Sequence, residues 1–391
     1  MKSRSLLLST VALSLIVSGS WLSGTSFYTQ KADSSAATYR TTAAIGASAA
    51  TVPSKLSVTD FGAVPNDGKD DYQAFVAAAQ AAKQQKKTLS IPAGTFTLSQ
   101  IWTIDGIAVE GAGKASTVLV STNPQKGSID LKGSNVSLRN LKHVYEKTVP
   151  RGDGAHEKNS ITVRGASNFV IDGISVSKSS TAGIMVAYGS NNGVISNNTI
   201  TNTGADGIHM TTESRNLTVE NNTVTSAGDD AIAVVSYQSS SVPVRSVTIR
   251  KNTVSGVSKG RGISVVGGEQ VTITGNRVKD TAMAGIYIGV EGAYRTMNVD
   301  GVQVIQNTVD HAGIKTPEKH PNVLVYAGQG SIDNVKFSRN IIKNAAHRGI
   351  GVWGEGNIRN VIFERNTLSN TKGAKTTFEK GKVQLIENVG F

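Results

Sequence analysis

The sequence predicts an all-β chain wound as a right-handed parallel β-helix, with a short helix closing its N-terminal end. Three observations carry that prediction. An asparagine returns ahead of small and β-branched residues, at Asn198-Thr199-Ile200, Asn222-Thr223-Val224, Asn252-Thr253-Val254, Asn276-Arg277-Val278, Asn307-Thr308-Val309, Asn340-Ile341-Ile342 and Asn366-Thr367-Leu368. A second phase runs in parallel through Ala182-Gly183-Ile184, Asp206-Gly207-Ile208, Asp230-Ala231-Ile232, Arg261-Gly262-Ile263, Ala284-Gly285-Ile286 and Arg348-Gly349-Ile350. The cleanest interval is 24 residues, which fits a solenoid coil holding several short strands. Composition agrees. Of 391 residues only 17% are charged and 5% aromatic, while glycine reaches 41, as short strands joined by polar turns require.

The elements follow in chain order. Met1-Lys2-Ser3-Arg4 and the apolar run from Leu6 to Val17 read as the two leading regions of a secretory signal peptide, the run being too short for a membrane span. Signal peptide and leader are assigned to 1–37, with Ser35-Ala36-Ala37 a candidate cleavage point, and a flexible Ser/Thr/Ala-rich linker to 38–54. The expected location is extracellular, free of the membrane once the leader is removed. A single solenoid domain is expected over 55–391. It opens at Leu56-Ser57-Val58-Thr59-Asp60-Phe61-Gly62-Ala63, and Asp70 or Asp71 is expected to cap a helix from about Tyr72 to Lys86. A solenoid leaves its first coil open, and that helix is read as the cover. Leu89-Ser90-Ile91-Pro92-Ala93-Gly94-Thr95-Phe96 follows as a strand and turn. From about residue 98 short strands recur to the C-terminus. Asparagine at one phase suits a ladder of side-chain amides linking coils, and glycine at one phase suits a tight corner.

The formal net charge is +12, which favours acidic partners. A polysaccharide is the expected partner, with an acidic one compatible; nucleic acid is not expected, and the chain is expected to be a monomer. Cysteine is absent, which excludes a disulfide framework and a thiolate metal site.

The periodicity gathers the acidic residues. Ile184, Ile208, Ile232, Ile263, Ile286 and Ile350 form an inward row, so Met185, His209, Ala233, Ser264 and Tyr287 face outward. Adjacent coils lie about 4.8 Å apart. Asp206 and Asp230 should therefore be neighbours, with Asp229 beside them and Arg261 one coil further on. Such crowding raises at least one carboxyl pKa, and carboxylates perturbed in this way suit general acid–base chemistry. Turn preference of aspartate, or a Ca²⁺ site, would also place acids there.

Val58-Thr59-Asp60-Phe61-Gly62-Ala63, Asp67-Gly68, Asp70-Asp71 and Ile91-Pro92-Ala93-Gly94-Thr95-Phe96 resemble the N-terminal signature of the pectin-lyase-like β-helix superfamily. Asp206-Gly207 followed by Gly228-Asp229-Asp230 resembles the catalytic core of the polygalacturonase family and of its relatives, the β-helical dextranases and α-1,3-glucanases. That resemblance implies Asp229 as general acid and Asp206 with Asp230 as the residues that hold and deprotonate the water on the opposite face. It also implies inversion, with acid and base roughly 6.5–9.5 Å apart. His209, Arg261 and Tyr287 become subsite residues. Three departures weigh against polygalacturonate as substrate. Gly204-Ala205 stands where the family has Asn-Thr, Gly260-Arg261-Gly262 replaces Gly-His-Gly, and Ala284-Gly285-Ile286-Tyr287-Ile288 has no counterpart of the uronate-binding Arg-Ile-Lys.

The insertion Arg151-Gly152-Asp153-Gly154-Ala155-His156-Glu157 is a polar loop within reach of the cleft, with His156 its candidate substrate contact. Tyr188, Tyr237, Tyr326 and Trp353 are candidate sugar-stacking residues, Tyr237 foremost. Three functions stand open. The leading one is a secreted inverting glycoside hydrolase without cofactor or metal. The second is a lyase or epimerase acting on a uronate polymer, with Arg261 or Tyr287 as base and Ca²⁺ as helper. The third is a non-catalytic glycan-binding solenoid.

Overall fold

The computed structural model describes residues 55–152, 156–316 and 318–391; the signal peptide and linker assigned to 1–54, and Asp153 to Ala155 of the ionisable insertion, lie outside them. Three parallel sheets, one of 13 strands and two of 11, run through the described residues. Each strand pairs with the strands one coil before and one coil after it, so the chain winds as a right-handed solenoid. Alternation of side chains turns one row of each strand inward, and stacking coils in register makes the rows continuous. Ile161, Ile184, Ile208, Ile232, Ile263, Ile286, Val323 and Ile350 are successive partners in one such row, all buried.

The asparagine phase forms the expected ladder inside the solenoid. Asn252 is typical: its Nδ2 donates to the carbonyl of Val219 at 2.9 Å and to Oδ1 of Asn276 at 3.0 Å. Its own Oδ1 accepts from the backbone N–H and the Nδ2 of Asn222, both at 2.9 Å. The same arrangement continues through Asn307, Asn340 and Asn366. The amide is needed because the chain turns here, and its buried polar groups have no strand partner of their own. Corners on the outer surface also recur at one phase. Asn168, Asn192 and Asn216 hold φ near +55°, a conformation that asparagine tolerates better than other side chains.

The helix spans Tyr72–Gln85 and turns Phe75, Ala78, Ala79 and Ala82 onto the first coil. The Phe75 ring meets Phe96 and Trp102 edge-on at 5.5 and 5.0 Å. Of the two expected capping residues, Asp70 and not Asp71 caps the helix. Asp71 occupies the N-cap position but makes no capping bond. Its carboxylate instead accepts from the N–H groups of Val64 and Thr97, both at 2.9 Å, tying the lead-in to the first coil. Asp70 takes the Tyr72 N–H at 3.2 Å.

Candidate active site

The sheet carrying the isoleucine row bears the acidic cluster on its outer face. Asp206 ends the turn entering strand Ile208–Met210, and Asp229 and Asp230 end the turn entering Ile232–Val235. The turns pack with almost no clearance. A Cβ on Gly260 would sit 2.5 Å from the carbonyl carbon of Asp229 and 2.6 Å from Oδ1 of Asp230, so only glycine lets the next coil come this close. That closeness brings together the three acids, as the periodicity predicts.

Each carboxylate has a different setting. Asp206 is 6% exposed; its Oδ1 accepts the backbone N–H of Asp230 at 2.9 Å and its Oδ2 bonds Nδ1 of His209. Asp230 is 4% exposed. Its Oδ1 accepts the Arg261 N–H at 2.7 Å and its Oδ2 accepts the Ser264 hydroxyl at 2.5 Å. The Arg261 Nε lies 3.1 Å from that Oδ1 but is not aligned to donate, so the contact is electrostatic. Burial pushes the Asp230 carboxyl up to about 7, helped by the charges of Asp206 and Asp229 and opposed by Arg261 and Ser264. The raised carboxyl expected from sequence is this one. Asp229 is the accessible member, its side chain 33% exposed, with Oδ2 held by Arg151 at 2.5 Å.

Around the cluster lies a cavity of about 710 Å³. It shares Arg151, Asp206, His209 and Tyr237 with a second cavity of about 430 Å³, and Arg261, Met283, Glu291 and Tyr294 with a third of about 650 Å³. The three form one groove across successive coils, with the acids at its centre. His156 and Tyr188 line the smaller arm. Tyr326 and Trp353 line the larger. Both of those rings fold back over a glycine two residues away. A Cβ on Gly351 would fall 1.9 Å from the Trp353 ring, and one on Gly328 would fall 2.9 Å from the Tyr326 ring. The aromatic rings thereby form a floor on the outer face of the sheet.

Several expected residues take other parts. Arg261 and Tyr287, expected at subsites or as a lyase base, both line the larger arm, but neither side chain stands free. The Arg261 guanidinium sits between Asp230 and Glu291, 3.1 Å from each, and its carbon lies 4.6 Å over the Tyr287 ring. Tyr287 is 2% exposed, and burial pushes its phenol above the ordinary value. Of the outward row, Ala233 and Ser264 are also fully buried. Ala233 and Tyr287 are buried in an apolar cluster with Val235, Val266, Ala284 and Leu324, against which Tyr237, Tyr326 and Trp353 pack; an alternation rule cannot anticipate such a cluster on the outer face. His209 does line the groove, yet it is bonded to Asp206 rather than standing alone. Tyr237 and His156 line the groove as expected.

Glu291 and Ser264 were not legible as site residues, and Arg151 only as the first residue of an insertion expected within reach of the cleft. Glu291 and Arg151 belong to insertions outside the repeat phase, and Ser264 has only its place in the outward row as a signal. The lining of the central cavity carries four acids, Asp206, Asp229, Asp230 and Glu291, against the three bases Arg151, Lys259 and Arg261. The positive charge of the whole chain is thus not concentrated where catalysis would occur.

A family model described as rhamnogalacturonase A/epimerase, pectate lyase-like, matches residues 56–287, and one for a right-handed β-helix region matches 242–389. Comparison with curated proteins gives no match. Among solved structures, the Agl-KA catalytic domain superposes with a TM-score of 0.79 at 24% identity over 86% of this chain. This chain spans 65% of that domain. The catalytic unit of a GH87 α-1,3-glucanase from Streptomyces thermodiastaticus gives 0.65 at 20% identity, covering 86% of this chain and 69% of its own. The A-module of the Azotobacter vinelandii mannuronan C-5 epimerase AlgE4 gives 0.56 at 16%, covering 84% of this chain and all of its own. At these identities the likeness establishes a shared solenoid.

Proposed function

The chain belongs to the rhamnogalacturonase A/epimerase, pectate lyase-like family, and from that premise we propose that it is a secreted, monomeric polysaccharide hydrolase acting with inversion. The observation that carries this reading is the inequality of the three carboxyl groups. Asp229 alone opens substantially to the groove, while Asp206 and Asp230 are enclosed by donors. Asp229 is the general acid that protonates the glycosidic oxygen. Arg151 pairs with it in the free enzyme and gives way when a sugar takes its place, so the insertion acts as part of the substrate gate. Two structures of a GH87 α-1,3-glucanase are named for alanine substitutions at aspartates 24 positions apart. The same 24 positions separate Asp206 and Asp230.

The lack of a counterpart to the uronate-binding Arg-Ile-Lys at Ala284-Gly285-Ile286-Tyr287-Ile288 supports a neutral glucan over a polyuronate. The lyase reading finds less support, because Arg261 and Tyr287 are engaged with Asp230, Glu291 and each other. The groove continues on both sides of the acids, which favours attack within a polymer.

The test is a panel of neutral and acidic polysaccharides, α-1,3-glucan included, assayed for reducing ends and for the ultraviolet absorbance of unsaturated products. Reducing ends without absorbance, lost by about 10³-fold or more in Asp229→Asn, are expected. Absorbing products would hand the site to elimination chemistry, and no product from any polymer would leave a binding solenoid.

A further inference from the structure

Past the end of each early strand in the sheet of the isoleucine row, the chain turns through a left-handed corner. By the register of those strands, successive coils place Gly106, Gly133, Gly165, Tyr188 and Thr212 there, with φ of +65°, +75°, +65°, +58° and +47°. Three glycines show what the corner favours, since a Cβ makes this conformation costly. A tyrosine in that row needs a reason. Among the described residues no other phenylalanine, tyrosine or tryptophan has a positive φ. Nor does the ring serve the core. Tyr188 is 48% exposed and lines the smaller arm. Among the described residues it and Tyr294 are the only exposed tyrosines, phenylalanines or tryptophans, and Tyr294 lines the groove on the other side of the acids. The ring is nevertheless held in place. The Arg164 guanidinium carbon lies over it, 5.3 Å from the centroid, and Asp130 holds that guanidinium at 3.2 Å. The His156 ring stands at 81° to it, with centroids 6.1 Å apart. A backbone cost retained for an exposed, oriented ring in a groove points to a ligand.

We propose that the smaller arm is a subsite for an uncharged sugar of the polymer, with Tyr188 as its stacking platform. This rests on the polysaccharide reading above and not on hydrolysis. The apolar C–H face of a sugar ring stacks on an aromatic face, and an oriented ring loses little freedom when it does so. Charge in the arm selects the class of sugar. Each cation lining it already faces a carboxylate: Arg151 that of Asp229, His209 that of Asp206, and His156 that of Glu157 at 3.8 Å. The arm thus offers a uronate no unpaired partner, while Asn159, Thr181 and Thr212 supply neutral hydrogen-bonding groups. The strand before Tyr188 lies one coil from that of Asp206 and two from that of Asp229 and Asp230. Asp206 lines both cavities, so the subsite adjoins the acids.

The experiment compares wild type with Tyr188→Gly and Tyr188→Phe. Binding to the soluble polymers of the panel is read by affinity electrophoresis, and binding to insoluble α-1,3-glucan by cosedimentation; neither needs turnover. Tyr188→Gly should weaken binding to a neutral polymer about 10-fold, and Tyr188→Phe, which keeps the ring, should stay within about twofold of wild type. Thermal unfolding separates this from a structural role. Glycine suits the left-handed corner, so Tyr188→Gly should melt at or above the wild-type temperature. On a polymer that is hydrolysed, the loss should appear in KM with kcat within about twofold. Weaker binding by Tyr188→Gly with no product from any polymer would keep the subsite and remove the hydrolase. Turnover with KM unchanged in Tyr188→Gly would keep the hydrolase and overturn the subsite. Binding unchanged in Tyr188→Gly, binding to acidic polymers alone, or binding to no polymer would equally overturn it. A clear fall in the melting temperature of Tyr188→Gly would give the ring a structural role instead.

Discussion

Replacing Arg261 with methionine keeps an unbranched stem over the Tyr287 ring and removes the charge lying 3.1 Å from both Asp230 and Glu291. Deleting one member of a buried ion cluster costs about 3–5 kcal/mol, because the charge left behind stays desolvated and unpaired. Here the cost falls mainly on Asp230, which is 4% exposed. Its carboxyl is already pushed up to about 7 by burial, with Arg261 pulling the other way, and loss of the guanidinium raises it further. A carboxyl with its folded pKa above the unfolded value binds a proton more tightly when folded. Stability is therefore fully present at low pH and is lost as pH rises toward the folded value. At pH 5 Asp230 is neutral in both proteins and the deficit of Arg261→Met should be small; by pH 9 it can grow by at most about 2.7 kcal/mol, about 1.36 kcal/mol for each pH unit above the wild-type value of about 7. At about 2.1 cal/mol/K per residue over roughly 330 residues, about 2.7 kcal/mol corresponds to a fall of about 4 °C in melting temperature. Thermal unfolding of both proteins at the two pH values measures this. An equal deficit at both would refute the reasoning, since it would mean lost packing and not lost charge compensation.

Asn252→Ala removes four ladder hydrogen bonds and strands the Val219 carbonyl and the Asn222 N–H in a dry interior, for an expected loss of about 3–5 kcal/mol by urea denaturation. Trp353→Ala takes away part of the aromatic floor of the larger arm. It should raise KM on a long polymer about 10-fold, roughly 1.4 kcal/mol, and leave kcat within a factor of two; a fall in kcat at constant KM would place Trp353 elsewhere in the mechanism.

Periodicity made the solenoid legible because every coil repeats the same demands. Seven asparagines and six small-residue corners mark positions where backbone turning and coil stacking admit few side chains, so the inner rows and the adjacency of Asp206, Asp229 and Asp230 follow from spacing alone. Val323 breaks the small-residue phase and still joins the isoleucine row. The preceding Asn322 supplies the corner instead, accepting the Ala312 N–H at 3.0 Å and donating to the Lys343 carbonyl at 2.7 Å. What was not legible lies in the insertions, which obey no repeat. Glu291 and Arg151 each complete an ion pair with a residue of the periodic scaffold, yet the distances in sequence carry no period. Tyr287, expected outward, is buried beneath Arg261 and beside Leu324 and His320, and no alternation rule shows which outward residues will be roofed. Tyr326-Ala327-Gly328 and Gly351-Val352-Trp353 did hold an unused signal, an aromatic two residues from a glycine on a strand that faces outward.

The amide ladder also governs how the groove can behave. From Asn198 to Asn388 each coil is tied to the next by strand pairing and by side-chain amides that act as both donor and acceptor, so bending between these coils would break several bonds at once. The scaffold has no hinge at its middle, and the two arms of the groove cannot fold together over a sugar chain in the manner of a two-lobed enzyme. Water must be displaced from the acids by the ligand itself and by the few side chains that can swing, with Arg151 foremost. Adaptation to a new polymer would then proceed by exchanging the inserted loops while the ruler beneath them keeps its spacing.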